Sequence, residues 1–180
     1  MLVGEAVAVA LGSRSGGSRK GVAMYAERVR SAFLEQGLAY EIHDHPYAVT
    51  AQEVAAAEGR SGWEVAKPVF AWANGELVML VLPATLEVDL ERTAAALGSE
   101  RTRLATEPEF ADRFPDCDTG AEPPFGNLYD VPVYADERLL EQPRITFSMG
   151  SHDQVATVRV EDFLAVARPI RVDIGAPVPA

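Results

Sequence analysis

Residues 64–83, EVAKPVFAWANGELVMLVLP, contain two apolar runs separated by Asn74-Gly75. Both runs are rich in the aliphatic and aromatic side chains that favour strands. An Asn-Gly pair between two such runs is the strongest short-range signal for a two-residue hairpin turn, because both residues tolerate a positive φ. The segment therefore predicts an antiparallel pair of strands.

Strand-like and helix-like segments continue on both sides of this hairpin. Before it, residues 21–36 have helical spacing, residues 38–45 alternate as a strand, and Thr50 with Glu53 forms a capping box that opens a helix ending at Gly59. After it, helices are predicted at residues 88–98, 106–114 and 161–168, and strands at residues 131–136, 144–150 and 153–160. This mixture indicates an α+β fold.

The length of 180 residues favours one domain. We predict a single domain over residues 21–175, preceded by a flexible Gly/Ser/Arg-containing lead-in over residues 1–20. The last segment, residues 174–180, is expected to fray.

The net charge of −11 disfavours a protein that coats DNA or RNA, because phosphate contacts need cations. Contact with only the end of a nucleic acid stays open. No apolar run approaches the roughly 18 residues of a membrane span, so no membrane partner is expected. The single cysteine, Cys117, excludes an internal disulfide and fits a reducing cytoplasm.

Several polar residues are candidates for chemistry, each with a plainer alternative. Lys67 lies inside an apolar strand beside Pro68. Its ammonium either reaches into a pocket or belongs to an exposed lysine on an edge strand. His152 follows a glycine and a serine in a turn and either binds a ligand or is a surface histidine. His43 and His45 are too few for a metal site, so no metal is expected.

A nucleophilic Cys117 with His152 as its base is a third possibility, although the neighbouring carboxylates of Asp116 and Asp118 disfavour a thiolate. The same cysteine belongs to a constrained loop, residues 116–126, DCDTGAEPPFG. Its glycines allow close approach of a ligand to the backbone, and its two prolines fix the chain. This loop is either a rigid wall of a pocket or a structural turn.

In combination, these segments resemble the YbaK/EbsC/ProX superfamily, which contains free-standing aminoacyl-tRNA deacylases and the editing domain of prolyl-tRNA synthetases. The resemblance covers about residues 40–169. It rests on the ordered set HDHPYAVTAQEVA, VAKPVF, VLPA with VDL, DCDTGAEPPFG, PVYAD and SMGSH. It implies a mixed, largely antiparallel sheet curled into a partial barrel, with helices packed outside.

The resemblance also implies site residues. The family's strand lysine matches Lys67, its Gly-x-x-x-Pro loop begins at Gly120, and its late histidine matches His152. Lys67 and Gly120 are the implied catalytic residues. The implied substrate-binding residues are Ala121, Pro124, Phe125, Gly126, Gly150, Ser151 and His152.

The implied activity is hydrolysis of the ester between a small mischarged amino acid and the 3′ CCA end of tRNA, without a cofactor and with help from the ribose hydroxyl of the tRNA. An aminoacyl-tRNA synthetase is a further implied partner, and DNA is not. In this role Lys67 supplies a cation, the backbone around Gly120 orients the carbonyl or the water, and His152 hydrogen-bonds the substrate. The alternative is a non-catalytic module of the same fold that binds a small molecule, a tRNA end or a protein.

Overall fold

The hairpin predicted from Asn74-Gly75 is present in the computed structural model, which describes residues 25–179. Strand β2 (Ala66–Ala73) pairs antiparallel with β3 (Glu76–Pro83), and Ala73 faces Glu76 across the turn. Asn74 and Gly75 have φ values of 49° and 84°. Two positive φ angles are what a two-residue turn of this hand requires, so this prediction is confirmed.

The hairpin lies in the middle of a five-stranded sheet. The strand order is β5 (Thr102–Leu104), β2, β3, β6 (Val133–Asp136) and β9 (Ile170–Val172). The β5–β2 and β2–β3 pairs are antiparallel, whereas β3–β6 and β6–β9 are parallel. The sheet is therefore mixed.

A second, wholly antiparallel sheet has the order β1 (Glu41–Asp44), β8 (Gln154–Arg159) and β7 (Arg144–Ser148). It connects to the first sheet where Val65, just before β2, bridges Thr146 of β7. Strands β4 (Leu86–Val88) and β10 (Gly175–Pro177) form a separate antiparallel pair. The predicted mixed α and β architecture, with mostly antiparallel pairing, is confirmed.

Six α-helices occur within residues 25–179: α1 (Glu27–Glu35), α2 (Ala51–Glu58), α3 (Leu90–Leu97), α4 (Glu107–Phe110), α5 (Glu137–Leu140) and α6 (Val160–Ala167). The capping box of α2 forms as predicted, with the Thr50 hydroxyl accepting from the Glu53 N–H at 3.1 Å and Glu53 accepting from the Thr50 N–H at 2.9 Å. The helix predicted at residues 106–114 is shorter: α4 ends after one turn and continues as a 3-10 helix.

The strand pattern of β2 and β3 separates two parts of the core. Phe70 and Met79 face an aromatic cluster that includes Phe125 and Phe147. Leu80 and its same-face neighbours pack on the other side, against Leu86 and Ile174. Successive side chains of a strand point to opposite faces, so each residue of β2 belongs to one of these two environments.

The C-terminal segment differs from expectation. Ile174 is buried, and Gly175–Pro177 pair with Leu86–Val88, so this part of the tail does not fray. The buried carboxylate of Asp136 holds this segment in place, because it accepts hydrogen bonds from the Ile174 and Gly175 N–H groups at 3.1 and 3.0 Å. The predicted lead-in, residues 1–20, and the predicted start of the first helix lie outside the described residues.

Candidate active site

The loop of residues 116–126 is joined to the turn between β7 and β8 by two backbone hydrogen bonds. The Asp118 N–H donates to the Gly150 carbonyl at 2.7 Å, and the Gly150 N–H donates to the Ala121 carbonyl at 3.0 Å. Gly150 has a φ of 89°, and a Cβ there would lie 2.9 Å from the backbone nitrogen of Ala26. Only glycine fits this position. Two segments that are distant in sequence thus form one rigid unit.

His152 extends from this turn onto the loop. Its Nε2 lies 3.1 Å from the Thr119 carbonyl oxygen, and its Cε1 lies 3.4 Å from the position that a Cβ on Gly120 would take. A carbonyl oxygen can only accept, so in the neutral ring Nε2 carries the proton and Nδ1 presents a lone pair. The Tyr47 ring lies beside the imidazole, with centroids 5.2 Å apart. His152 is therefore oriented, with one nitrogen available to a ligand.

Glu122 is a candidate site residue that the sequence did not reveal. Its side chain lies in the same loop and the residue is only 5% exposed. Both carboxylate oxygens lie near the Gly120 nitrogen, at 3.1 and 3.0 Å. Burial raises the pKa of Glu122 above its usual value. Hydrogen bonds from the backbone N–H groups of Glu122 and Gly120 and the neighbouring His152 oppose that shift, and Glu107 adds to it. The sequence shows an acid between Gly120 and the two prolines, but nothing local indicates that this acid is buried.

Two backbone donors of the loop, at Gly120 and Ala121, are already engaged. The Gly120 N–H donates to Glu122 and the Ala121 N–H donates to the Asp118 carbonyl at 3.0 Å. Pro123 and Pro124 have no N–H to offer. The expectation that backbone groups around Gly120 orient the carbonyl or the water stays a prediction, and the Gly120 and Ala121 N–H groups are not free for that role.

Phe125 and Gly126 have packing roles. The Phe125 ring is fully buried, with edge contacts to Phe33, Phe147 and Phe163. A Cβ on Gly126 would lie 2.8 Å from the Val131 carbonyl oxygen. We therefore leave both out of the proposed substrate surface.

The other implied binding residues lie in the same loop and turn as Gly120 and His152, but they are buried. Ala121 and Pro124 are buried within the loop. The hydroxyl of Ser151, also buried, donates to Asp153 at 2.8 Å. These residues hold the shape of the loop and turn.

Lys67 has a different environment from the cluster around Gly120. It shares its face of β2 with Val69 and Ala71, the face opposite Phe70, and its ammonium donates to the Leu86 carbonyl. Burial lowers its pKa, and nearby Glu87 partly opposes that shift. Among the hydrogen bonds of residues 25–179, none joins Lys67 to Gly120 or His152. The predicted open edge is present at Pro68, because β5 pairs only with Ala71–Ala73.

Cys117 is not an activated nucleophile. Its sulfur lies 3.6 Å from Asp116 and 3.9 Å from the Tyr129 hydroxyl. Burial raises the pKa of the Cys117 thiol, and the Asp116 carboxylate raises it further. A thiol in this environment stays protonated at neutral pH.

Two further features are absent from the described part of the chain. No group of three or more His, Cys, Asp or Glu side chains is placed to hold a metal ion there. Over the same residues, none of the helices has the length and apolar character needed to cross a membrane.

Comparison with known families matches the chain to the aminoacyl-tRNA editing domain over residues 45–166, more than half of its length. Lys67, Gly120, Glu122 and His152 all lie within that range. No protein with a curated function gave a significant match.

Three solved structures share the fold over most of the chain. A protein proposed to be a trans-editing enzyme for prolyl-tRNA synthetase has a TM-score of 0.74 at 22% identity, covering 87% of this chain and 99% of its own. The hypothetical protein APE2540 has a TM-score of 0.74 at 18% identity, with coverage of 83% and 99%. A scaffold protein from work on epitope grafting by computational design has a TM-score of 0.73 at 22% identity, covering 85% of this chain and 97% of its own. At these identities the likeness shows the fold alone.

Proposed function

Because the chain belongs to the aminoacyl-tRNA editing domain family, we propose that it is a trans-editing deacylase. Its substrate is the ester between a small mischarged amino acid and the 3′ end of tRNA. The observation that carries the proposal is the oriented imidazole of His152 on the Gly120 loop, with its Nδ1 available. A buried carboxylate, Glu122, lies in the same loop.

Ester hydrolysis can proceed here without a protein nucleophile. Nδ1 of His152 accepts a proton from water as the water oxygen bonds to the ester carbonyl carbon. The bond to the ribose oxygen then breaks, and that oxygen takes the proton. A positioned general base of this kind contributes about 10²–10⁴-fold in rate. The adjacent ribose hydroxyl, which the substrate supplies, helps to place the water.

Lys67 is the proposed cation of the site. It is the only lysine in the described part of the chain. Its ammonium would exchange the Leu86 carbonyl for a phosphate oxygen of the substrate, a stronger partner because it carries negative charge, or for the ester carbonyl oxygen as negative charge develops on it. Partial burial strengthens such an interaction relative to one in water.

Tyr47 is proposed to contact the terminal base. It is 72% exposed, although its ring lies against His152. Proteins recognise single-stranded ends by stacking bases on aromatic side chains. An aromatic face next to the proposed base catalyst fits a nucleoside whose ribose carries the ester.

The biological need for such an enzyme is energetic. One methylene in a hydrophobic pocket discriminates by only about 1–3 kcal/mol, so synthetases also charge small near-cognate amino acids. A second hydrolytic site removes these products. We place this activity in the cytoplasm, where charged tRNA is used, with a synthetase as a candidate partner.

The test is release of amino acid from tRNAs charged separately with alanine, serine, threonine, cysteine and proline. The native protein should release at least one faster than buffer does. Lys67→Ala should lower the rate by about tenfold or more, and Cys117→Ala should leave it nearly unchanged. No release from any charged tRNA would overturn the proposal. Tight binding without release would instead favour the non-catalytic binding module, and loss only in Cys117→Ala would favour a thiol hydrolase.

A further inference from the structure

Glu122 lacks the partner that the other buried acids have. The described residues bury three carboxylates, those of Glu122, Asp136 and Asp162. Asp136 is paired with Arg138 at 2.7 Å and Asp162 with Arg159 at 3.0 Å. No arginine or lysine among residues 25–179 forms an ion pair with Glu122. Burying a charge without a cation is costly unless something else compensates it.

The position of Glu122 suggests what compensates it. Its oxygens lie 3.0–3.1 Å from the backbone nitrogen of Gly120. The residue Gly120 is exposed to solvent. Gly120 also borders the His152 ring. The carboxylate therefore lies beside an exposed stretch of backbone that also borders the His152 ring.

We propose that Glu122 binds the α-ammonium group of the aminoacyl ester and so selects substrates with a free amine. This inference rests on the proposed function and names one determinant of its substrate. In an α-aminoacyl ester the ammonium is two bonds from the carbonyl carbon, so a group that binds it lies next to the reacting atoms. The ammonium supplies the missing cation, and Glu122 fixes the carbonyl with respect to His152.

The simpler alternative is that Glu122 only braces the loop through its bond from Gly120. Glu122→Gln separates the two roles, because the amide oxygen still accepts from the Gly120 N–H but the negative charge is gone. The matched control is Asp118→Asn, which removes the same charge from an exposed residue of the same loop. Only the backbone groups of Asp118 make hydrogen bonds within the loop and turn.

The experiment measures binding of short acceptor-stem RNAs that end in a non-hydrolysable, amide-linked amino acid. One ligand has a free α-amine and the other is N-acetylated. Native protein and Asp118→Asn should prefer the free amine by about 10- to 100-fold, the range expected of a charge-assisted hydrogen bond. Glu122→Gln should bind both ligands with similar affinity.

Two outcomes would overturn the inference: equal binding of both ligands by the native protein, or an unchanged preference in Glu122→Gln. Failure to bind either ligand would overturn it as well. Because the ligands are amides, the result does not depend on hydrolysis. A protein that prefers the free amine but releases no amino acid from charged tRNA would retain this inference while the deacylase proposal fails.

Discussion

At the scale of single residues, the site depends on burial, which a sequence does not display. Gly120 and His152 could be identified in advance because their segments resemble those of a family. Glu122 could not, because its burial arises only when the loop closes on the turn at Gly150. The face of the sheet on which Lys67 lies could not be predicted either, since it depends on the register of β2 with β3.

The raised pKa of Glu122 predicts a stability effect with a definite sign. Its protonated form is favoured in the folded state, so its contribution is fully present below the pKa of the unfolded chain, about 4.3, and is lost as the pH rises through the folded pKa. Glu122→Gln should therefore stabilise the protein at pH 8, on the order of 1 kcal/mol. Near pH 4 the difference should shrink towards zero.

Thermal unfolding of native protein and Glu122→Gln across this pH range measures the effect, with Asp118→Asn as the control. A variant that is less stable than the native protein at pH 8 would show that the negative charge of Glu122 supports the fold. The pairing with a substrate cation would then not be needed to explain its burial.

At the scale of elements, local signals were read correctly and distant pairings were missed. The Asn74-Gly75 turn and the Thr50 capping box are each determined within a few residues. Strands of three residues, such as β4 and β10, carry no periodicity of their own. They form because a partner far along the chain supplies hydrogen bonds and because Asp136 holds the tail in place.

Asp136→Asn should detach this C-terminal segment. Burial alone would raise the pKa of Asp136, but hydrogen bonds from Arg138 and from the Ile174 backbone outweigh it and hold the pKa below its usual value. Its stabilising contribution is therefore present above the pKa of the unfolded chain and is lost as the pH falls. We expect a loss of about 3 kcal/mol at neutral pH, typical of breaking a buried ion pair.

Denaturant unfolding and hydrogen exchange at residues 174–177 are the measurements. Asp173→Asn is the matched control, because this half-exposed acid also contacts Arg138, at 2.9 Å, and should cost less than about 1 kcal/mol. Equal effects of the two substitutions would refute a special role for Asp136.

At the scale of the whole molecule, the net charge of −11 limits how tRNA can bind. A protein that gripped the tRNA body would need many phosphate contacts and would show steep salt dependence. The proposed site instead offers His152 and the exposed Tyr47 ring to the very end of the acceptor strand. An RNA minihelix with the acceptor stem and CCA end should therefore replace full-length tRNA as a substrate.

The most direct test of the central claim is the single-turnover rate of amino acid release from such a charged minihelix. The minihelix should carry the amino acid that the native protein removes fastest from tRNA. Native protein should act within about threefold of its rate on the full tRNA, and His152→Ala should be slower by about 10²-fold. His43→Ala, which removes a histidine from β1, should behave as the native protein does. An unchanged rate in His152→Ala would contradict a catalytic centre built on the Gly120 loop and the turn at His152.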